Sequence, residues 1–124
     1  MAEAELVDRL RAALAPLNVR EQRMFGGTCF MLDGNMLVGT SRRGLLVRVG
    51  KEAHAVALHE KNARPMQMRD RTMQGYVFID PAGLGSKAAL QGWIDRALAY
   101  VRTLPPKTGE AGRPATKRRA AKRE

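Results

Sequence analysis

The stretch that decides the fold is Met24-Phe25-Gly26-Gly27-Thr28-Cys29-Phe30-Met31-Leu32-Asp33-Gly34-Asn35-Met36-Leu37-Val38-Gly39. It contains two apolar runs separated by the two residues Asp33 and Gly34. An Asp-Gly pair in that position is a strong signal for a two-residue β-hairpin. We therefore expect a strand that ends at Leu32, a tight turn, and a returning strand from Asn35 to Thr40.

The glycine pair Gly26-Gly27 lies inside the first apolar run. Glycines within a strand pattern usually mark a bulge or a close approach of two backbones. The sequence thus predicts one strand from Gln22 to Leu32 that is interrupted by a bulge at the glycine pair.

Helices are predicted on both sides of this nucleus from apolar residues at spacings of three and four. They run from Ala2 to about Leu17, from Lys51 to about Lys61, and from an N-cap at Ser86 to the stop at Pro105-Pro106. Further extended segments are expected at Leu45 to Val49, Arg64 to Met68 and Tyr76 to Asp80.

The resulting order is α-β-β-β-α-β-β-α. Because helices stand outside the runs of strands, this order predicts an α+β fold with a largely antiparallel five-stranded sheet and helices packed on it. A chain of 124 residues suits one domain. We place that domain at residues 1–106 and a basic tail, disordered when free, at residues 107–124.

The net charge of +10 is concentrated toward the end of the chain. Residues 105–124 hold seven Lys or Arg against two Glu. Such a segment favours a nucleic-acid partner, because cationic side chains release counterions from phosphates. A tail that only keeps the protein soluble is the alternative. The candidate nucleic-acid contacts are Lys117, Arg118, Arg119, Lys122 and Arg123.

Classes of chemistry are restricted by what the chain contains. Cys29 is the only cysteine, so an internal disulfide is impossible. We expect a cytoplasmic protein with no membrane association, because no signal peptide and no long apolar run are present. No catalytic set, metal site or cofactor is expected, since the two histidines His54 and His59 point to different sides of a helix. Gly34 to Ser41 resembles a phosphate loop but has Thr40 where lysine is needed.

Methionines and arginines gather near the predicted strands. Methionine is a flexible filler of cores and contact surfaces, so we interpret the methionines that way and not as copper(I) ligands. Several arginines flank extended segments and are candidate anion or partner contacts on one sheet face: Arg23, Arg48, Arg64 and Arg71. This gives an alternative function, namely a small-molecule or anion-binding domain with an arginine-lined sheet pocket.

Several short motifs, in order and spacing, resemble the TfoX/Sxy N-terminal domain family over roughly residues 5 to 107. They include Arg23-Met24-Phe25-Gly26-Gly27, Phe30-Met31 followed by Gly34 and Met36, Arg64-Pro65-Met66, Gly75-Tyr76-Val77, and the helix around Trp93 that ends in Leu104-Pro105-Pro106-Lys107. The residues that carry the family motif as structural positions are Met24, Phe25, Gly26, Gly27 and Gly34.

The resemblance implies a small domain of α-β3-α-β2-α order with a secretion-chaperone-like two-layer architecture. It also implies a bacterial regulatory role with a protein partner in transcription regulation. We therefore expect a non-enzymatic regulatory or adaptor domain, and we expect it to form a homodimer through its sheet or a helix face. The family's namesakes regulate natural competence and carry a second, helical domain, where this sequence has its basic tail.

Overall fold

The computed structural model describes residues 3–24, 26–68 and 70–106. The helices are α1 (Glu3–Leu14), α2 (His54–Leu58) and α3 (Lys87–Val101), with a 3-10 turn at Pro81–Leu84. The strands are β1 (Val19–Met24), β2 (Gly27–Leu32), β3 (Asn35–Ser41), β4 (Gly44–Arg48), β5 (Ala63–Met68) and β6 (Arg71–Ile79).

The described strands form one antiparallel sheet in the order β1-β2-β3-β4-β6-β5. The α+β class and the antiparallel sheet are therefore confirmed. The sheet has six strands, so the prediction of five was wrong. A secretion-chaperone-like architecture stays a prediction.

The missed strand is β1, at one edge of the sheet. Its register with β2 runs from Val19 opposite Leu32 to Met24 opposite Gly27, so Gly26 belongs to the turn that connects the two strands. Gly26 has a φ of 77°, which suits a glycine in a tight turn. One bulged strand from Gln22 to Leu32 was thus a wrong interpretation. The middle of β1 is solvent-exposed and polar, so it has no apolar alternation that could reveal a strand.

The Asp-Gly hairpin between β2 and β3 is confirmed. Asp33 and Gly34 have φ values of 53° and 82°, and the pair of left-handed residues is what a type I′ turn requires. The strands meet from Leu32 opposite Asn35 onward, with a register shift between Phe30 and Met31.

Two helices are shorter than predicted. α1 ends at Leu14, two residues before Pro16, where proline disfavours helical backbone. α2 covers only His54–Leu58. The start of α3 agrees with prediction, since the Ser86 Oγ accepts a hydrogen bond of 3.0 Å from the Ala89 N–H.

The helices pack on one face of the sheet. α1 and α3 contact β3 and β4, and α2 contacts β5 and β6. The core between these layers is aliphatic, and its fully buried members include Leu10, Leu37, Leu45, Val47, Ile79 and Ile94. No helix in the described residues has the length and apolar content needed to cross a bilayer.

Polar contacts tie α1 to the structure beneath it. The Thr40 hydroxyl donates to the Glu3 carboxylate at 2.9 Å and accepts from the Thr28 N–H at 3.1 Å. Arg11 makes two hydrogen bonds, of 2.7 and 2.8 Å, with the Glu21 carboxylate on β1. Arg9 donates to the carbonyl of Leu84 at 2.6 Å, which joins α1 to the turn before α3. Hence α1 is fixed at its start, middle and far end.

Candidate functional site

The two faces of the sheet differ in what they carry, and β4 shows the alternation. Leu45 and Val47 belong to the core beneath the helices, whereas Leu46 packs into a second cluster on the opposite face. Side chains alternate across a strand, so this pattern assigns each strand residue to a face.

We call the second cluster the methionine face. Its buried members are Cys29, Met36, Leu46, Met66 and Phe78, and its half-buried members are Met24, Met31, Met73 and Tyr76. All of these residues belong to strands, and no helical residue of the described chain joins the cluster. The face is therefore closed by its own long side chains. Five methionines lie here, as their interpretation as core or contact residues implied.

A groove of about 440 Å³ opens on the methionine face. It brings together the β1–β2 turn, the β3–β4 turn and the two strands β5 and β6. Its lining consists of Gly26, Ser41, Arg42, Arg43, Met66, Gln67 and Phe78. Apolar side chains from the strands thus meet two guanidinium groups from a turn.

The turn that carries the two arginines is ordered by its own side chain. The Ser41 Oγ accepts a hydrogen bond of 3.1 Å from the Arg43 N–H. The guanidinium carbon of Arg43 lies 5.9 Å from the centre of the Phe78 ring. This is within cation–π range, so Arg43 is drawn toward the apolar part of the groove.

The four arginines singled out from the sequence do not meet around one cavity. Arg23 donates to the Thr28 Oγ1 at 3.3 Å, next to the polar contacts of α1. Arg48 lies at the other end of β4, with its guanidinium carbon 5.6 Å from the Tyr76 ring and 5.5 Å from the Tyr100 ring.

The other two are in β5 and β6. Arg64 forms an ion pair with Asp80 at 2.8 Å. Arg71 is exposed at the first position of β6, opposite Met68. The four arginines therefore lie in four different local environments.

Sequence reasoning missed Arg42 and Arg43 as groove residues. The signal in the sequence is the run Ser41-Arg42-Arg43-Gly44, a turn that carries two adjacent arginines. Its position near Met66 and Phe78 depends on the strand order of the whole sheet. No local pattern contains that information.

The glycine motif positions have distinct geometric requirements. A Cβ on Gly27 would lie 1.7 Å from the Thr40 carbonyl oxygen, so a larger residue cannot fit without moving the backbone. A Cβ on Gly26 would meet no atom within 4 Å, so φ alone restricts that position. Gly34 is required by the turn, and Met24 packs at the margin of the methionine face. Phe25 lies outside the described residues.

Cys29 lies within the methionine face and is 1% exposed. Burial raises the pKa of its thiol to about 11, which keeps the sulfur protonated and unreactive at neutral pH. In the described part of the chain no group of three His, Cys, Asp or Glu could hold a metal ion.

The proposed nucleic-acid contacts Lys117, Arg118, Arg119, Lys122 and Arg123 lie outside the described residues. The end of the described chain is anchored, because the Asn35 side-chain amide donates to the Pro105 carbonyl at 3.0 Å. Asn35 is itself 2% exposed. The last described residues therefore lie at the β2–β3 turn.

Comparison with curated proteins gave no match. The family model of the TfoX N-terminal domain matches residues 12–101, from the last turn of α1 to the end of α3. This range includes all six strands, the groove and the glycine motif. On this evidence the chain belongs to the TfoX N-terminal domain family.

Proposed function

We propose that this chain is a non-enzymatic regulatory or adaptor domain of the bacterial cytoplasm that contacts nucleic acid through its basic C-terminal residues. The observation that carries the proposal is the charge of residues 105–124, seven Lys or Arg against two Glu, joined to a domain of the TfoX family. Arginine and lysine side chains that contact phosphates hold a nucleic acid without distinguishing its base sequence.

Anchoring of Pro105 supports this division of labour. Because Asn35 holds the Pro105 carbonyl, the charged residues begin at a defined point on the domain. A nucleic acid held there would leave the methionine face accessible to a protein partner. The domain then acts as an adaptor between the two.

The test is a titration of duplex DNA with the full chain at several salt concentrations. In the test variant, the five cations Lys117, Arg118, Arg119, Lys122 and Arg123 become Gln. A matched control replaces five exposed cations of the described domain by Gln: Arg20, Lys51, Lys61, Lys87 and Arg102. The two variants carry the same net charge, so total charge cannot explain a difference between them.

We expect the tail variant to bind much more weakly and to lose salt dependence, since each phosphate contact contributes about 0.9 to the slope of log K against log salt. The control should retain most of both. Equal losses in the two variants would show that overall charge, and not the C-terminal cluster, carries the binding.

We further propose that the domain self-associates through the edge strand β1. Edge strand β5 contains Pro65, which lacks an N–H, and has a register shift, whereas β1 has neither feature. Sedimentation equilibrium of Gln22→Pro, compared with the wild type and with Gln22→Thr, tests this. We expect a monomer only for the proline variant; a wild type that is monomeric at all concentrations contradicts the proposal.

A further inference from the structure

The groove on the methionine face has the dimensions of a ligand site. Its volume of about 440 Å³ lies within the range of small-molecule pockets. Gly26 adds no side chain to the groove, and a Cβ placed there would meet no described atom within 4 Å beyond its chain neighbours. One wall is the turn that carries Arg42 and Arg43.

Arg42 and Arg43 differ from the arginines that have an acidic neighbour. Arg11, Arg64 and Arg96 each form an ion pair with a carboxylate. Among the described residues, no carboxylate lies within ion-pair distance of Arg42 or Arg43. The rim of the groove is therefore cationic and lacks a counter-ion from the described chain.

The floor has a different character. Met66 and Phe78 are 3% and 8% exposed, and both belong to the apolar cluster of the methionine face. A thioether adapts its shape to a ligand. Since the Arg43 guanidinium carbon lies 5.9 Å from the centre of the Phe78 ring, a ligand ring would contact only the small exposed part of Met66 and Phe78. The Gln67 amide adds one polar group at the margin.

A cationic rim over an apolar floor matches a molecule with one anionic end and a flat apolar body. Arginine binds carboxylates through paired hydrogen bonds, which suits a ligand with a terminal carboxylate. A nucleotide fits less well, because its sugar hydroxyls would face methionine and phenylalanine without hydrogen-bond partners.

We propose that this groove binds a small aromatic carboxylate, with the carboxylate on Arg42 and Arg43 and the ring against Met66 and Phe78. The site does not depend on the nucleic-acid contact proposed above, since it uses the opposite end of the β2 and β3 strands from Asn35. It would make the domain a sensor as well as an adaptor.

The test uses the full chain and 1-naphthoate as the probe, followed by calorimetry and by amide and methionine-methyl NMR. A neutral probe with the same ring system, 1-naphthylmethanol, isolates the contribution of charge. We expect saturable binding of naphthoate with a Kd near or below about 1 mM, and binding of the alcohol that is weaker by about tenfold. The methyl signal of Met66 should shift in step with the amide of Arg43.

Two pairs of variants separate the site from general charge and from folding. Arg42→Gln with Arg43→Gln should weaken naphthoate binding at least about tenfold, whereas Arg71→Gln with Arg102→Gln should leave it unchanged. Gln67→Trp should block the groove, and Gln67→Ala should not. All five positions are exposed, so each variant is expected to keep the thermal midpoint of the wild type.

Three outcomes would overturn the proposal. The first is that the wild type shows no saturable binding of naphthoate. The second is that the two double-arginine variants bind naphthoate equally well. The third is that naphthoate shifts the NMR signals of residues outside the groove and not those of the groove residues. Displacement of naphthoate from the groove by a short oligothymidylate at lower concentration would assign the groove to nucleic acid instead.

Discussion

The two faces of this sheet are closed in different ways. The helix-covered face is built mainly from Leu, Val and Ile, together with Phe30, and is covered by α1, α2 and α3. The methionine face is built from thioethers, two aromatic rings, Leu46 and one thiol, and its cluster contains no helical residue of the described chain. A face sealed by rigid elements needs side chains with few conformations, whereas a face that closes on itself needs flexible ones. One set of strands therefore carries a rigidly packed face beneath the helices and, on its opposite side, a face whose side chains can change conformation.

The adjacent residues Leu45 and Leu46 give the most direct way to break this comparison. Both are at most 1% exposed, but they point to opposite faces. We expect Leu45→Ala to lower the free energy of unfolding by about 4 kcal/mol and Leu46→Ala by about 2–3 kcal/mol, because methionines can move into the space left. Urea unfolding measures both.

Substitution by methionine sharpens the same comparison. Leu46→Met should cost less than about 1 kcal/mol, and Leu45→Met should cost more than Leu46→Met. If the Leu45 and Leu46 variants lost equal free energy of unfolding, both for alanine and for methionine, the methionine face would be as rigid as the helix-covered face.

Alkylation of Cys29 measures how completely the methionine face is closed. Since the pKa of the buried thiol is about 11, we expect iodoacetamide at pH 8 to react about 100-fold more slowly with the folded protein than with the protein in urea. Mass spectrometry follows the reaction. Similar rates would show that the face opens readily in solution.

The helix-covered face contains a buried hydroxyl that joins two strands to α1. Thr40→Val removes the acceptor for the buried Thr28 N–H and the donor to Glu3, and should lower the free energy of unfolding by about 1–2 kcal/mol. Thr40→Ser keeps the hydroxyl and is the control. A valine variant as stable as the serine variant would contradict this role.

The smallest effect is expected at the edge of the helix-covered face, where Arg11 contacts Glu21. The hydrogen bond from Arg11 holds the pKa of Glu21 below its usual range. A lowered carboxyl pKa contributes stability at pH values above the pKa of the unfolded chain, and that stability is lost as the pH falls through the pKa of the folded state. Between neutral pH and pH 3, the Glu21→Gln variant should therefore lose slightly less of its free energy of unfolding than the wild type loses. Because the pair is exposed, added salt should reduce the difference.

Much of the fold could be predicted because its signals are local. The Asp33-Gly34 turn, the Ser86 cap and the antiparallel arrangement each follow from a few neighbouring residues. The edge strand β1 could not be predicted in this way. Its backbone pairs with a neighbouring strand on one side only, and its exposed residues need no alternation of apolar and polar side chains. Gly26 was misassigned for a related reason, because a bulge and a turn both favour a glycine.

The groove was harder to predict from the sequence than the strands and turns. It joins residues 26, 42, 43, 66 and 78, which come from three hairpins and meet only when the strands assemble into one sheet. The arginines predicted for a pocket were chosen by their position beside strands. The structure gives Arg48 two tyrosine rings and Arg64 a carboxylate, while it leaves the turn arginines without an acidic neighbour.

The hydrogen bond from Asn35 to the Pro105 carbonyl also fixes the point on the domain from which residues 107–124 continue. Eighteen residues span at most roughly 60 Å, whatever they bind. If these residues hold a polyanion as proposed, it stays at a high effective concentration around the β2–β3 end of the domain, and a second weak contact there becomes an intramolecular step. Loss of the Asn35 amide would release that starting point without removing a single charge.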